Sequence, residues 1–265
     1  MEFTFSQFAS PRLEWRESAG STNAELAALA SAEDLPHFTV LATANQTAGR
    51  GRLDRDWVAP AGKALAISVI LKSPASASLS VQALGWVPLL AGLGVFEMVE
   101  SSLGPNSQAS IKWPNDVLVG GLKVSGVLSQ LLPNGAGVIV GAGINVLQTA
   151  DELPVPTATS MALAGSLLPE RAEAALDMAL AGYLARLGHW FDRFAESGFD
   201  AEASGLRQAV KAACSTIGKP ARAILPDQTE LIGLATDIDS SGRLVLDVAG
   251  KLTTVAAGDI VHLRH

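Results

Sequence analysis

The feature of the sequence that most constrains the fold is a change of pattern after Ile217. From there the chain contains five short apolar runs with strand character, separated by turn-forming pairs such as Ser241-Gly242 and Ala249-Gly250. The predicted strands are residues 221–225, 231–237, 244–248, 252–255 and 260–263. Strands this short and this closely spaced are typical of a small closed β barrel of SH3-like size. We therefore place a domain boundary near residue 216 and expect domains of residues 1–215 and 216–265.

The first 215 residues mix strand and helix patterns and predict a larger α+β domain. The predicted strands are residues 38–43, 64–71, 111–119, 123–131 and 138–140, with Gly120-Gly121 as a hairpin turn. One predicted helix begins near Ser21, where Thr22 and Glu25 have capping-box spacing. The other predicted helices are residues 80–101, 168–196 and 200–213.

Composition narrows the functional classes. The chain has 265 residues, of which 48% are hydrophobic and 17% charged, which suits a globular protein with a sizeable core. Its formal net charge of -7 argues against nucleic acid as the main partner, because phosphate binding needs an electropositive surface. Cys214 is the only cysteine, so an internal disulfide is impossible and a small buried side chain is expected. The four histidines lack the spacing of metal ligands.

Two observations indicate a cytoplasmic protein that does not enter a membrane. Residues 1–16 lack the basic start and apolar centre of a signal peptide. The uncharged stretch 74–96 is the candidate membrane span, but it contains three serines, Gln82 and Pro88. A buried core helix is therefore the better interpretation.

Residues 45–56, with the sequence NQTAGRGRLDRD, are the most informative segment. Arg50, Arg52 and Arg55 are expected to repel one another in a flexible loop that no strand or helix holds. Such a loop gains order when an anion binds, because guanidinium groups bind phosphate or carboxylate in bidentate fashion. Gly49 and Gly51 would let the backbone approach the ligand. A solvated basic loop without a ligand explains the composition equally well.

Two further segments carry candidate chemistry. Lys112-Trp113-Pro114-Asn115-Asp116 is followed by Lys123 and Gly126, a pattern that indicates a positive charge directed at a ligand. An ordinary exposed lysine at a hairpin is the alternative, and Trp113 alone is more often a core residue. Gly141-Ala142-Gly143 follows a strand, but Val146 stands where the third glycine of a dinucleotide-binding loop belongs. The sequence also lacks a Walker motif and a nucleophile elbow.

Together these segments resemble the biotin protein ligases. The family pattern is Ser-Thr-Asn, Gln-Thr-x-Gly-Arg-Gly-Arg, Lys-Trp-Pro-Asn-Asp, Lys-x-x-Gly and Gly-x-Gly-x-Asn. The chain contains these motifs in the same order, at residues 21–23, 46–52, 112–116, 123–126 and 141–145. The resemblance covers nearly the whole chain and includes Gly233, Asp239 and Gly242 in the C-terminal β region.

The resemblance implies a mixed β-sheet flanked by helices, related to the class II aminoacyl-tRNA synthetases, with the SH3-like barrel after it. It implies a ligase that joins biotin to the α-phosphate of ATP, with Mg²⁺ on the phosphates, to give biotinyl-5′-AMP and pyrophosphate. A lysine of a biotin carboxyl carrier protein domain, in acetyl-CoA carboxylase or a related acyl-CoA carboxylase, then attacks this adenylate. Because two anions meet in the first step, fixed positive charge is its main requirement.

The same resemblance assigns roles to individual residues. The catalytic residues are expected to be Lys123, Arg52 and Arg50. The expected biotin-binding residues are Ser21, Thr22, Asn23, Gln46, Gly49, Arg50, Arg52, Lys123 and Gly126. The expected ATP-binding residues are Arg52, Trp57, Lys112, Asn115, Asp116, Lys123 and Asn145, and Asp116 is also the expected magnesium contact.

Three positions leave alternatives open. Asp54 stands where the family usually has glycine, and Gln130 where glutamate is common. Asp54 is expected to pair with Arg52 or Arg55 or to change the loop's shape, so Asp54→Gly should change the rate at which the adenylate leaks. Equal release rates from the two proteins would refute this expectation. The hydroxyl of Thr22 could cap a helix or contact biotin.

Other functions compete with this interpretation. A lipoate or octanoate ligase or transferase on the same fold is the nearest alternative, although the arginine and Lys-Trp-Pro-Asn-Asp motifs belong to the biotin branch. A DNA-binding repressor would need a winged helix-turn-helix before Ser21, where about twenty residues are too few. Retention of Lys123, Arg50 and Arg52 disfavours an inactive binding module. The sequence leaves a monomer and a weak homodimer equally open.

Overall fold

The computed structural model describes residues 4–74, 79–132, 137–225, 227–256 and 258–263. The side chain of Asp54, and with it the expected pairing of Asp54, lies outside the described part. The strands before residue 216 are β1 (Arg12–Arg16), β2 (Thr39–Thr43), β3 (Gly49–Arg50), β4 (Asp56–Trp57), β5 (Ala64–Leu71), β6 (Ala109–Lys112), β7 (Asp116–Val119), β8 (Leu122–Leu131) and β9 (Val138–Asn145). The helices are α1 (Thr22–Ala32), α2 (Val81–Leu84), α3 (Val87–Ser102), α4 (Ala172–Glu196) and α5 (Leu206–Ala213).

Seven of these strands form one mixed sheet in the order β1-β2-β5-β9-β8-β7-β6. β1 and β2 are parallel, and the other neighbouring strands are antiparallel. The turn between β7 and β8 contains Gly120 and Gly121 at φ 58° and 83°, which is the backbone that a two-residue hairpin requires. The predicted mixed sheet and this hairpin are confirmed.

Both faces of the sheet are covered by helices, because the side chains of its central strands alternate between two apolar layers. On one face Leu41, Ile70 and Ile139 pack with Leu26 of α1. On the other face Val40, Val69 and Val140 belong to the larger core that contains α3 and α4. The functional site lies on the α1 face, beyond the point where this smaller apolar layer ends.

The predicted helix 80–101 is divided into α2 and α3 at Gly85 and Trp86, whose backbone angles remain in the right-handed helical region. Within the described residues, Val81–Ser102 is the one helical segment long and apolar enough to cross a membrane, and 61% of its apolar window is buried inside the protein. It packs against α4 and the sheet, as the core-helix interpretation predicted.

Three other expectations are wrong in part. The predicted strand 111–119 is interrupted at Trp113–Asn115, where β6 turns back into β7. The helices predicted from residues 168 and 200 begin at Ala172 and Leu206, since shorter turns precede them. The segment 45–56 was expected to be free of strand and helix, but β3 pairs with β4 around a short 3-10 turn at Arg52–Asp54.

The five predicted C-terminal strands are confirmed. They are β10 (Pro220–Ile224), β11 (Glu230–Ile238), β12 (Leu244–Val248), β13 (Lys251–Val255) and β14 (Asp259–His262). They form an antiparallel sheet in the order β13-β12-β11-β10-β14. Among the described residues no ladder joins β13 to β14, and this antiparallel sheet is consistent with the expected SH3-like domain. The division at residue 216 stays a prediction.

Two tryptophans attach the C-terminal sheet to the rest of the molecule. The indole N–H of Trp86 donates to the carbonyl of Ser240 at 2.8 Å, and that of Trp113 donates to the carbonyl of Gly242 at 3.0 Å. Both rings are almost fully buried, so each bond satisfies a donor that water does not reach. The turn between β11 and β12 is therefore fixed against the junction of α2 and α3 and against the segment that precedes β7.

Candidate active site

A cavity of about 150 Å³ opens on the α1 face of the large sheet. Most residues singled out from the sequence surround it. Those on its wall are Ser21, Thr22, Asn23, Gln46, Arg50, Arg52, Trp57, Asn115, Asp116, Lys123 and Gly126. Gly49, Lys112 and Asn145 were predicted with them but do not line this cavity.

The floor of the cavity is created by two glycines of β9. Ile139, Gly141 and Gly143 alternate along the same face, and the isoleucine is the last large side chain of the apolar layer under α1. A Cβ at Gly141 would overlap the side-chain amide of Asn23, and one at Gly143 would overlap the indole of Trp57. The Gly-x-Gly motif therefore lets the side chains of Asn23 and Trp57 approach the sheet closely, which explains the motif without a dinucleotide.

One end of the cavity is lined by neutral hydrogen-bonding groups. Oε1 of Gln46 accepts from the backbone N–H of Thr22 at 2.9 Å and from its hydroxyl at 3.1 Å. Ser21 is the N-cap residue of α1 but makes no side-chain capping bond within the described structure. The predicted capping box is thus absent, and the hydroxyl of Thr22 is not used as a cap. Gly49 does not line the cavity but leaves room for Gln46, since any Cβ at residue 49 would overlap the side-chain amide of Gln46.

A buried hydroxyl that the sequence analysis missed supports this end. Ser68 lies on β5 with its Oγ 2.8 Å from Oγ1 of Thr22 and 2.6 Å from Oδ1 of Asn23. The amide of Asn23 also donates to the carbonyl of Leu128 at 3.2 Å. Because Ser68 is completely buried, its hydroxyl has no water to bind and instead fixes the two side chains above it. The available signal was a single hydroxyl inside the apolar run 64–71.

Charged groups meet at the opposite end. Nζ of Lys123 lies 2.7 Å from Oδ1 of Asp116 and 6.0 Å from the centre of the Trp57 ring. A Cβ at Gly126 would lie 3.1 Å from Nζ of Lys123, so a side chain at residue 126 would crowd the ammonium group. The structure therefore places a lysine ammonium, a carboxylate and an indole face beside one open space.

Arg52 is held at the edge of this charged end by two neutral acceptors. Its guanidinium donates to Oδ1 of Asn115 at 3.0 Å and to the carbonyl of Gly258 at 3.2 Å. The Asn115 amide nitrogen is used by the carbonyl of Val127 at 2.9 Å, which turns its oxygen towards Arg52. Burial lowers the pKa of Arg52, while Asp116 opposes the shift. The guanidinium remains charged at any working pH, and among the described side chains no carboxylate is bound to it.

The other two arginines of residues 45–56 also have partners, so the expected free, self-repelling loop is wrong. Arg50 pairs with Asp56 across the β3–β4 hairpin at 3.2 Å, and both side chains are exposed. Arg55 forms an ion pair with Asp259, the first residue of β14. The loop is therefore held in part by the C-terminal sheet, a relationship that separate predictions for the two regions could not contain.

Lys112 and Asn145 lie behind the cavity wall. Burial lowers the pKa of Lys112, with Asp116 opposing and Lys123 and Arg55 contributing, so the four charges share one neighbourhood. The Asn145 amide donates to the carbonyl of Thr159 at 2.9 Å, and its oxygen accepts from Gln148 at 2.8 Å. Direct ligand contact by either residue stays a prediction.

The described residues contain no cluster of three or more histidine, cysteine, aspartate or glutamate side chains that could hold a metal ion. Asp116 is the one predicted metal contact, and it lies in the cavity beside Lys123. A single carboxylate suits a magnesium ion that takes most of its ligands from phosphates and water. Cys214 is buried, as expected, and Trp113 is a core residue.

Comparison with known proteins adds two family matches. Residues 17–145 match the Biotin/lipoate A/B protein ligase family, and residues 216–263 match the Biotin protein ligase C terminal domain. The first match contains the predicted motifs, and the second contains all five strands of the small sheet.

Similar proteins cover almost the whole length. Biotin--[acetyl-CoA-carboxylase] ligase of Mycobacterium tuberculosis is 38% identical over 256 residues, which are 94% of this chain and 90% of that protein. The Paracoccus denitrificans enzyme of the same name is 33% identical over 89% of this chain and 95% of its own. Among solved structures, the biotin protein ligase from Aquifex aeolicus in complex with biotin and ATP has a TM-score of 0.74 and 26% identity, covering 96% of this chain and all of that one.

Proposed function

The chain belongs to the biotin protein ligase family, and on that premise we propose that it activates biotin with ATP and transfers the biotinyl group to a lysine of a carrier protein. One observation carries the proposal. A single cavity has neutral hydrogen-bonding groups at one end and the fixed cations Lys123 and Arg52 at the other. Biotin has the matching polarity, because its ureido ring is neutral and its valeryl chain ends in a carboxylate.

Binding of biotin would use the neutral end for the ureido ring. Ser21, Thr22 and Gln46 offer hydroxyl and amide groups there, and Asn23 is fixed beside them by Ser68. The strand residues Gly126 and Val127 would lie along the acyl chain. An acid that lacks the ureido ring would bind more weakly, because these polar groups would then lose their hydrogen-bond partners.

Adenylate formation requires the carboxylate to approach the α-phosphate of ATP. Lys123 and Arg52 lie where the two anions would meet, and Arg50 lies on the same wall. In a partly enclosed site their charge offsets the repulsion between the reactants and stabilises the charge that develops on the phosphate. Trp57 offers an aromatic face for the bound nucleotide, and Asn115 holds Arg52 in place.

ATP brings magnesium to this reaction. Asp116 would hold the ion together with the phosphates, and the ion would neutralise part of the triphosphate charge. Asp116 lies 2.7 Å from Nζ of Lys123, so the carboxylate that would hold the ion stands beside the ammonium group that would meet the phosphates. Lys112 would add positive charge near the cavity without lining it, and Asn145 would fix the adjoining backbone through its hydrogen bond to Thr159.

The second substrate would be the biotin carboxyl carrier domain of acetyl-CoA carboxylase or a related acyl-CoA carboxylase. Its lysine amine attacks the carbonyl of the mixed anhydride, AMP leaves, and an amide forms. The adenylate must be shielded from water until then, which segment 45–56 is placed to do because it forms one side of the cavity. The net charge of -7 disfavours DNA as a partner. The proposal includes a cytoplasmic monomer or weak homodimer.

The decisive experiment is pyrophosphate exchange into ATP by the purified protein with biotin, lipoate and octanoate as separate acids. Exchange that depends on biotin, with at least about a hundredfold lower rates for the other acids, is the expected result. Exchange with lipoate or octanoate instead would assign the chain to the other branch of the fold. Transfer to a purified apo carrier domain, followed by mass spectrometry, then tests the second step.

A further inference from the structure

The turn between β6 and β7 carries part of the charged end of the cavity. It spans residues 113–115 and ends at Asp116, the first residue of β7. Asn115 accepts a hydrogen bond from Arg52, and Oδ1 of Asp116 lies 2.7 Å from Nζ of Lys123. A shift of this turn would therefore move the supports of both cations together.

The end of the turn is held by β8. The backbone N–H of Val127 donates to the carbonyl of Asn115 at 2.9 Å, and the side-chain amide of Asn115 donates to the carbonyl of Val127 at 2.9 Å. Pro114, just before Asn115, has no N–H to donate. The beginning of the turn must therefore be fixed through Trp113.

The backbone of Trp113 is held by Thr216, which comes 103 residues later in the chain. Oγ1 of Thr216 accepts from the backbone N–H of Trp113 at 3.1 Å. Thr216 is fully buried, and it is the residue at which the C-terminal family match begins. Because a buried N–H without an acceptor is costly, this hydroxyl favours one position of the turn.

The hydroxyl of Thr216 is itself fixed from two directions. The backbone N–H of Ser215 donates to the carbonyl of Ile111 at 2.8 Å, and Cys214 forms a parallel β bridge with Ile111. The chain that leads to Thr216 thus runs beside β6. From the small sheet, Nε2 of His262 lies 3.1 Å from Oγ1 of Thr216. The large sheet and the small sheet therefore meet at this one hydroxyl.

We propose that Thr216 is a positioning residue for adenylate formation, which sets Asn115 and Asp116 against the nucleotide through the backbone of Trp113. The inference rests on the proposed function, and it assigns Thr216 to the ATP end of the site. Thr216 does not line the cavity, so it acts through the turn and not by contact with a substrate. The biotin end, where Gln46 bonds to the start of α1, is held by separate contacts.

Thr216→Val tests the proposal, because valine has the shape of threonine without a hydrogen-bonding group. We expect the KM for ATP in biotin-dependent pyrophosphate exchange to rise about fivefold to tenfold. The Kd for α,β-methylene-ATP, which cannot release pyrophosphate, should rise by the same factor of about five to ten in titration calorimetry with biotin bound. The Kd for biotin should stay within about twofold of the wild-type value.

Two further measurements separate positioning from general damage to the fold. Thr216→Ser keeps the hydroxyl and should return the KM for ATP to within about twofold of wild type. The amide hydrogen of Trp113, followed by NMR, should exchange at least about tenfold faster in Thr216→Val and at the normal rate in Thr216→Ser.

Thr39→Val is the matched control. Thr39 is as buried as Thr216, and its hydroxyl donates to the carbonyl of Pro36 at 2.8 Å, but it lies at the start of β2 and outside the cavity wall. This variant should leave all three ligand constants unchanged.

Three results would overturn the proposal: a wild-type KM for ATP in Thr216→Val, an equal rise in the Kd for biotin, or normal exchange of the Trp113 amide. Absence of biotin-dependent exchange in the wild-type protein would instead refute the proposed function.

Discussion

Arg55, in the segment that borders the cavity, is ion-paired with Asp259, the first residue of the last strand. The pair joins two parts of the chain that are 204 residues apart in sequence. Arg52, three residues earlier, donates to the carbonyl of Gly258 in the same place. The position of the arginine segment is therefore set from the C-terminal sheet as well as from its own hairpin.

Removal of this pair should loosen the segment more than it destabilises the fold. Asp259→Asn leaves a mostly exposed arginine without its partner, so unfolding free energy should fall by less than about 1 kcal/mol. We expect the retained biotinyl-5′-AMP to dissociate about threefold to tenfold faster, measured by rapid filtration or fluorescence. Asp56→Asn breaks only the exposed pair with Arg50 and should change the rate less. Equal rates for the two variants would contradict the role of the C-terminal sheet.

Ser68→Ala should weaken biotin binding through Thr22 and Asn23. The variant removes the buried hydroxyl that lies within hydrogen-bond distance of both side chains, at a cost of about 1 kcal/mol in unfolding free energy. We expect the Kd for biotin to rise about fivefold to tenfold, measured by titration calorimetry, with the KM for ATP nearly unchanged. Ser125→Ala is the control, because Ser125 is equally buried and its hydroxyl has no hydrogen-bond partner within the described structure. If both variants weaken biotin equally, general packing rather than Ser68 is responsible.

A methyl group at Gly143 should damage the site selectively. Gly143→Ala directs a Cβ into the indole of Trp57, so the ring must leave its position over the sheet. We expect the KM for ATP in the exchange reaction to rise by at least about tenfold. Gly92→Ala, in α3, meets no atom within 4 Å and should stabilise the protein by about 0.5–1 kcal/mol with normal kinetics. A normal KM in Gly143→Ala would show that the indole is not used by the nucleotide.

His262 should make stability depend on pH below neutrality. Its Nε2 lies 3.1 Å from the hydroxyl of Thr216, whose oxygen already accepts from the backbone N–H of Trp113. Burial, with Lys112 and Lys219 nearby, lowers the pKa of His262 to about 4. The unfolded chain, with a pKa near 6.5, then binds more protons than the folded chain between these values, so stability falls as pH decreases from about 6.5 to about 4.

The measurement is urea unfolding of the wild type and His262→Gln across that window. His262 should account for about 1 kcal/mol of the loss in unfolding free energy between pH 6.5 and pH 4. This is less than its pKa shift alone implies, because the side chain is only half-buried. His37, whose pKa is also lowered by burial, contributes to the wild-type slope and remains in the variant as an internal reference. Parallel pH profiles of the two proteins would exclude His262 as a source.

The sequence predicted those features that depend on local pattern. The apolar run identified the buried strand Ala64–Leu71, and the paired glycines identified the hairpin between β7 and β8. The small C-terminal strands were found from their turns. The resemblance to a family identified most of the residues on the cavity wall, because those residues are contiguous motifs.

Features that depend on contacts between distant segments were not predicted. Ser68 looks like any strand residue until the register places it under Thr22 and Asn23. Asp259 looks like a turn residue until the small sheet brings it to Arg55. The arginine segment was expected to be unsupported because its partners, Asn115, Gly258 and Asp259, come from three later positions in the chain.

The two indole hydrogen bonds to the turn between β11 and β12 connect the small sheet to the rest of the protein, and we expect the two parts to unfold as one cooperative unit. If that sheet opened alone, Trp86 and Trp113 would lose their acceptors at Ser240 and Gly242, and Arg52 would lose the carbonyl of Gly258. Opening of the C-terminal strands and exposure of the cavity are then a single event in native-state hydrogen exchange. Amides of β12 and of the strands around the cavity should exchange with one shared free energy, so the enzyme cannot unfold its last strands and keep its reactive intermediate.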